Sequence, residues 1–384
     1  MKALEYTVTF TTPSFLGNAE QNGQWRTPPF KALLRQWWRV LKAKEYGYKH
    51  ADIRQHEGDL FGNAWLSDSD GKPLHRKSRI AIRLDPWSSG KVTSEGWPGG
   101  PMESVATTRD GKGRVRGDVY LGFGPVLPPS RRDNRLVTIR SAIGTDEESV
   151  LGLLAERLPK LKPSDLDMKD VGDAIQLMAW FGTLGSRSRN GWGALALSAR
   201  GETPVVSNIP GKTDALLTRI GREWTRCLEL DWPHALGYSG DKPLLWISRP
   251  CSDWREAMGC LANIRVEVRG VAKSFSGPES IGGVHLLGYP AGDKWTVRRF
   301  AKGQPRREHQ EGRLASQLRF KVTQTAEGLV GMVFHMPHRF PDELMSRLNA
   351  DQQDWLRNNE RKVWTEIHSA LNRSSRLSWS GGTN

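Results

Sequence analysis

Apolar and polar positions along the chain change period several times, and those changes mark its elements. Leu4, Tyr6, Val8 and Phe10 alternate with polar neighbours up to Thr12, the period-two pattern of a half-buried strand. After a Gly- and Asn-containing loop, Pro13 to Gln24, the spacing becomes helical. Thr27 can cap a helix, with Pro28 where a missing N–H is tolerated, and the helix runs to about Tyr46, before Gly47. At 100° per residue Phe30, Leu33, Leu34, Trp37 and Leu41 form one face. Further helices are predicted at Ala51–Trp65, Glu147–Leu158, Val171–Phe181, Asp214–Cys227, Trp254–Asn263 and Pro341–Arg373. Strands are predicted at Val119–Phe123, Leu136–Ser141, Ala194–Ala199 and Leu244–Ile247, with a hairpin of Arg319–Thr325 and Leu329–His335. Two stretches lack periodicity: Asp85–Gly117, read as an exposed insertion, and Lys273–Gly312, a Gly, Pro and basic loop. The polar run Gly201–Lys212 reads as a joint between residues 1–200 and 201–384. Strands mixed with helices in each half predict an α+β fold.

Two segments carry candidate chemistry. On the first helix Lys31, Arg35, Arg39 and Lys42 share the flank beside the apolar face, with Trp38 at the border. The bland alternative is a solvated charged face. Trp37 sits within the apolar stripe and is expected in the core. The second segment runs from Gly182 to Gly193, between an apolar helix and a strand. Its glycines admit backbone angles that side chains resist, and successive N–H groups can form an anion nest. Gly185, Ser186, Arg187, Ser188, Arg189, Asn190 and Trp192 thus combine backbone donors, guanidinium groups and an aromatic ring, a set suited to a sugar-phosphate strand with unstacked bases. No Gly-Lys-Ser/Thr follows and no GxGxxG follows a strand, which argues against ATP and NAD.

Charge strengthens the nucleic-acid reading. The net charge is +14, and seven Lys or Arg lie between Arg26 and Lys49 against one acid, Glu45. Eight lie between Arg298 and Lys321 against Glu308 and Glu311. About six phosphate contacts would give a log–log salt slope near −4 for single-stranded ligand. The three cysteines, Cys227, Cys251 and Cys260, form no CxxC pair, so neither a disulfide framework nor a zinc site is expected, and no cofactor is implied. The opening, Met1 to Tyr6, lacks a signal-peptide core and no apolar run is long enough for a membrane helix, so a cytoplasmic protein with no membrane partner is expected.

Several of these stretches resemble the RAMP superfamily of CRISPR effector proteins, and within it the Cmr-type subunit of type III-B complexes that lies near the 3′ end of the guide. The residues that carry the resemblance are Thr12-Pro13-Ser14-Phe15-Leu16-Gly17-Asn18, then Arg26, then Phe30 to Arg39 with its Trp37-Trp38-Arg39 ending. Leu60-Phe61-Gly62, the Gly182–Gly193 loop and Arg313 to Leu318 match further signatures, although Gln317 stands where Pro is common. The resemblance implies two ferredoxin-like (RRM-like) domains with long loop insertions. It also implies contact with CRISPR guide RNA, with target RNA as a further candidate, and assembly with other RAMP subunits. Arg313, with Arg298, Arg299, Lys302, Arg306 and Arg307, is read from its charge as either a disordered basic surface or a second contact to RNA or a partner subunit. The resemblance implies no nuclease role, because relatives that cut RNA carry an acid in the loop after the first strand, where this chain has only Glu20. The competing classes are a RAMP-type endoribonuclease processing precursor RNA through His50 or His56, a metal-dependent RNase using Asp59, Asp68 or Asp70, and a scaffold for acidic proteins.

Overall fold

The computed structural model describes residues 3–64, 67, 70–73, 75–95, 97, 102–107, 111, 113–128, 138–139, 141–155, 168–211, 214–288 and 314–379. Its first half runs β1 (Ala3–Phe10), α1 (Thr27–Lys42), α2 (His50–Phe61), β2 (Ile80–Asp85), β3 (Glu148–Ala155), α3 (Met168–Phe181) and β4 (Leu195–Ala199). Its second half runs β5 (Leu245–Ser248), α4 (Trp254–Lys273), β6 (Leu318–Thr325), β7 (Gly328–His335), α5 (Ala350–Arg373) and β8 (Leu377–Trp379). The first sheet has the order β2-β3-β1-β4 and the second β6-β7-β5-β8, with every pairing antiparallel. With α2, the helices of six residues or fewer and the smaller two- and three-stranded sheets set aside, both halves repeat strand, helix, strand, strand, helix, strand, and place the strands in corresponding order. This is a mixed α+β architecture with antiparallel sheets.

The alternation in β1 does what its period requires. Leu4, Tyr6, Val8 and Phe10 are buried, and Val8 and Tyr6 lie opposite Ser149 and Leu151 of β3. This face packs on Phe30, Leu33, Leu34, Trp37 and Leu41 of α1 and on Val171, Ala174, Ile175 and Met178 of α3. Trp37 is a core residue, with its ring centroid 5.3 Å from that of Phe181. Phe181 in turn meets Phe334 of β7 at 4.9 Å, so the helices of the first half also cover one face of the second sheet. Met332 and Phe334 belong to that shared core, whereas Phe320, Val322 and Val333 face α4 and α5.

Polar groups stitch the contact. Thr11 Oγ1 donates to the Val322 carbonyl at 2.7 Å, and Phe320 N donates to the Arg189 carbonyl at 3.0 Å. Buried Lys321 donates from Nζ to the Ala179 carbonyl in the last turn of α3, where the helix dipole favours a cation. Burial still pushes its pKa down to about 7. The stretch after β4 is tied back to the first half: Trp180 Nε1 donates to Ser207 Oγ at 2.9 Å, and Asn208 bonds Leu197.

Several local expectations are corrected. Of the residues predicted as helix over 147–158, Glu148–Ala155 form β3, between β1 and β2, with Ser149, Leu151 and Leu153 directed to the core, and 156–158 lie outside the described residues. Val119–Phe123, predicted as a strand, lies mostly in a short helix, Gly117–Gly122. The Asp214–Cys227 helix is broken by an extended segment, Gly221–Glu223. The insertion is not simply exposed: Val92, Trp97 and Met102 are buried, and Trp97 packs on Phe15, Trp192 and Trp254. Among the described residues no helix is long and apolar enough to cross a membrane.

Candidate nucleic-acid interface

The row of cations predicted on α1 is largely consumed inside the protein. Arg35 and Arg39 both bind the carboxylate of Glu57 on α2, Arg39 Nη1 at 2.7 Å. Lys42 binds Glu45 and Asp170, the latter at 2.7 Å, and Arg219 binds Asp170 at 2.8 Å. Burial alone would raise the Asp170 pKa, but Lys42 and Arg219 hold it below its ordinary value. Burial likewise works against the charge on Lys42, and Asp170 and Glu45 overcome it. Arg35, Arg39 and Lys42 therefore fasten α1 to α2 and α3, a correction to their reading as an open binding stripe. Trp38 is corrected too: it is buried edge-on against Phe61.

Arg26 and Lys31 lie at the opposite end of α1. Neither forms an ion pair with a described residue, and the Arg26 Nε is buried without a partner. Burial, and then the charge of Arg35, lower the Lys31 pKa. Beside this end stands Trp87, 56% exposed, with Nε1 donating to Thr27 Oγ1 at 3.2 Å. Arg26 occupies the cap position expected for Thr27 and makes no side-chain cap bond.

The glycine-rich loop begins beside this end of α1, where a Cβ on Gly182 would come within 3.1 Å of Leu33. Gly193 has φ +61°, and a Cβ there would lie 1.9 Å from the Leu184 carbonyl oxygen, so only glycine closes the turn. The loop is pinned rather than slack. Ser186 N donates to the Phe15 carbonyl at 3.0 Å, Leu184 N to Gly193 O at 2.8 Å, and Thr12 Oγ1 to Gly191 O at 2.7 Å.

Three of the seven contact residues predicted in the loop turn inward. Trp192 is 0% exposed, with Phe15, Trp97 and Trp254 centroids at 5.3, 5.7 and 5.9 Å, so no base can stack on it. Asn190 is buried, its Nδ2 donating to Leu121 O at 2.8 Å, and Arg189 Nη1 donates to Ser316 O at 3.2 Å. These residues pack the loop against the second half. Ser186 and Arg187 remain exposed, with Gly185 and Ser188 half-buried.

Arg187 is the pivot of the exposed part. It adopts φ +58°, and its Nε donates to the Phe123 carbonyl at 2.7 Å. The Phe123 ring is 58% exposed. Behind it Arg265 of α4 lies over the Phe320 ring at 5.8 Å. Burial brings the Arg265 pKa down to about 10; Tyr120 opposes that shift, and the charges of Arg269 and Arg187 add to it. The charges of Arg187 and Arg269 thus both reach Arg265.

Sequence reading did not single out Phe123, Trp87, Arg265 or Arg269. The four-residue spacing of Arg265 and Arg269 on one helix was the available signal. Arg26, Lys31 and Arg187 share one end of the first sheet, whereas Lys42 lies eleven residues beyond Lys31, about 16 Å along the helix. Arg313 and the basic segment 298–313 lie outside the described residues. His56 stacks on Tyr46 at 4.5 Å, His50 leans on Trp232 at 5.4 Å, and Asp59 pairs with Arg76 at 2.9 Å. Among the described residues no three His, Cys, Asp or Glu side chains are grouped to hold a metal ion.

No protein-family model and no curated protein matches the chain. Among solved structures it is similar to the crystal structure of apo Cmr1 from Pyrococcus furiosus, at 16% identity and TM-score 0.48, over 94% of this chain and 97% of that one. It is similar to a chain of the type III-B Cmr-beta complex bound to cognate target RNA and AMPPnP in the presence of ssDNA, at 12% identity and TM-score 0.44, over 95% and 99% of the two chains. A chain of the type III-B Cmr-beta complex bound to cognate target RNA is similar at 12% identity and TM-score 0.43, over 93% and 100%.

Proposed function

We propose that this chain is a non-catalytic, RNA-binding subunit of a type III-B CRISPR effector complex in antiviral defence, contacting guide RNA toward its 3′ end, with target RNA and other RAMP subunits as further partners. The motifs from Thr12 to Arg39 support the family, and the twofold recurrence of one strand–helix order supports reading residues 1–200 and 201–384 as two ferredoxin-like domains. The single observation that carries RNA binding is the exposed Phe123 held by Arg187 through its carbonyl, with the charges of Arg187 and Arg269 both acting on Arg265 of α4. A ring face takes a base and guanidinium groups take the phosphates on either side of it.

The experiment is anisotropy of a labelled single-stranded RNA across a salt series. With Arg35, Arg39 and Lys42 withdrawn into ion pairs, the expected log–log slope falls to about −2 to −3, roughly 0.7 per phosphate contact. Arg187→Ala combined with Phe123→Ala should weaken binding by about tenfold or more, the loss of one stacked base. The melting temperature should barely move, because both side chains are exposed. A flat salt response, or an affinity indifferent to the double variant, overturns the interface. Cleavage of precursor RNA by the isolated chain would overturn the non-catalytic role.

A further inference from the structure

The seam between the glycine-rich loop and β6 contains two arginines, Arg189 and Arg319, that no carboxylate among the described residues balances. The Phe320 N–H to Arg189 carbonyl bond lays residues 187–190 alongside the edge of β6. Arg319, next to Phe320 in that strand, is 6% exposed, and its Nε has no hydrogen-bond partner. Gln317 is 1% exposed; its Oε1 accepts from His338 N at 2.9 Å, and its Nε2 has no partner. Arg189 donates to Ser316 O, and its charge acts on Arg319. No carboxylate among the described residues pairs with either arginine. His338 is buried next to them; burial, and then Arg319 and Arg189, bring its pKa to about 4, so it is neutral at pH 7.

Two like charges held this way are costly. An arginine does not escape by losing its proton, so its desolvation is met by an anion or remains unmet. The vacant donors are the Arg319 Nε and the Gln317 Nε2, and the Arg189 guanidinium, bonded through Nη1 to Ser316 O, adds its charge beside them; together they suit a tetrahedral oxyanion better than a single carboxylate. We propose that this seam is a binding site for one phosphate group, held by Arg189 and Arg319 with the carboxamide of Gln317, so that the anion bridges the two halves. Arg189 is only half-buried and gives the group its way in. A free phosphate and a phosphodiester of a bound strand offer the same oxygens. Only the second source rests on the RNA-binding reading above.

The test is thermal melting of the full chain in sodium phosphate from 0.1 to 10 mM against sodium chloride of equal ionic strength. The wild-type melting temperature should rise by several degrees and saturate, since a ligand of the folded state alone stabilises by mass action. Arg319→Met removes the uncompensated charge at similar volume, and its melting temperature should not respond to phosphate. Should that variant not fold, Arg189→Met, on the half-buried loop, supplies the same comparison. An equal rise in wild type and variant, or no rise in wild type, overturns the site, as would an equal response to acetate. A second arm adds single-stranded RNA. If RNA abolishes the phosphate increment and Arg319→Met weakens RNA binding about tenfold, the group is a strand phosphodiester. If RNA leaves the increment intact, it is free phosphate. Failure of the wild type to bind RNA sinks the proposed function while leaving the phosphate arm to be judged alone.

Discussion

Lowering the pH from 7 to 5 is expected to reduce the melting temperature by roughly 6 °C, at a conversion near 0.8 kcal/mol per degree for a chain of this length. The cause is a set of histidines that fold in their neutral form. His234, His285, His335, His338 and His368 are all buried. Burial lowers the pKa of His234, His285 and His338 to about 4 and that of His368 to about 3, and it takes His335 well down too. In the unfolded chain each titrates near 6.5. Between 6.5 and the folded values the unfolded state binds more protons, so stability is lost as the pH falls through that window.

From pH 7 to 5 His234, His285, His338 and His368 each contribute a loss of about 2 kcal/mol, near 7 kcal/mol together, and His335 acts in the same direction. His335 and His368 share a hydrogen bond of 2.9 Å and do not titrate independently. Glu360 opposes the trend. Its carboxyl is buried and raised to about 8, so the folded state gains about 2–3 kcal/mol as it protonates over the same range. The net loss of about 5 kcal/mol is comparable with the whole stability of a marginal domain. Melts at pH 5, 6 and 7 at fixed ionic strength check it, and a melting temperature constant across the series would show that these side chains have access to water in the folded state.

The elements legible in the sequence are those whose pattern has one solution. β1 alternates strictly, α1 carries a five-residue apolar stripe, and the β6–β7 hairpin is bounded by a turn at Gly328; each is found close to where the periodicity puts it. β3 was not legible, because Val150, Leu151, Leu153 and Leu154 leave no polar face and an apolar run of that length suits either a helix or a strand buried between neighbours. Its pairing with β1 on one side and β2 on the other decides, and β2 itself was not anticipated.

The site divides in the same way. A helical wheel displays Arg35, Arg39 and Lys42 as a row but is blind to Glu57 and Asp170, which reach the row from α2 and α3. It therefore exaggerates the charge available to a ligand. The glycines of the loop marked the right place on the surface, yet which of its side chains face outward depends on partners such as Leu121, Ser316 and Trp254, far away in sequence.

Trp192 is the sharpest instance of that dependence, and Trp192→Ala should destabilise the fold by about 3–5 kcal/mol, the range for emptying a buried Trp site. The ring sits where three segments meet: Phe15 from the loop after β1, Trp97 from the long insertion, and Trp254 from the first turn of α4. Gly122 also closes on it, since a Cβ there would approach Trp192 Nε1 to 3.0 Å. Truncation would leave a cavity that these neighbours cannot refill without moving the loop carrying Arg187. Trp192→Phe keeps much of the apolar volume and should recover a good part of the loss. Denaturant unfolding monitored by circular dichroism gives the stability change, and RNA anisotropy below the unfolding transition gives the affinity. A packing role lowers the first and spares the second once the folded fraction is counted. The opposite result, near-wild-type stability with RNA binding weakened by about tenfold or more, would mean that the ring meets a base and that the inward packing of this loop is wrong.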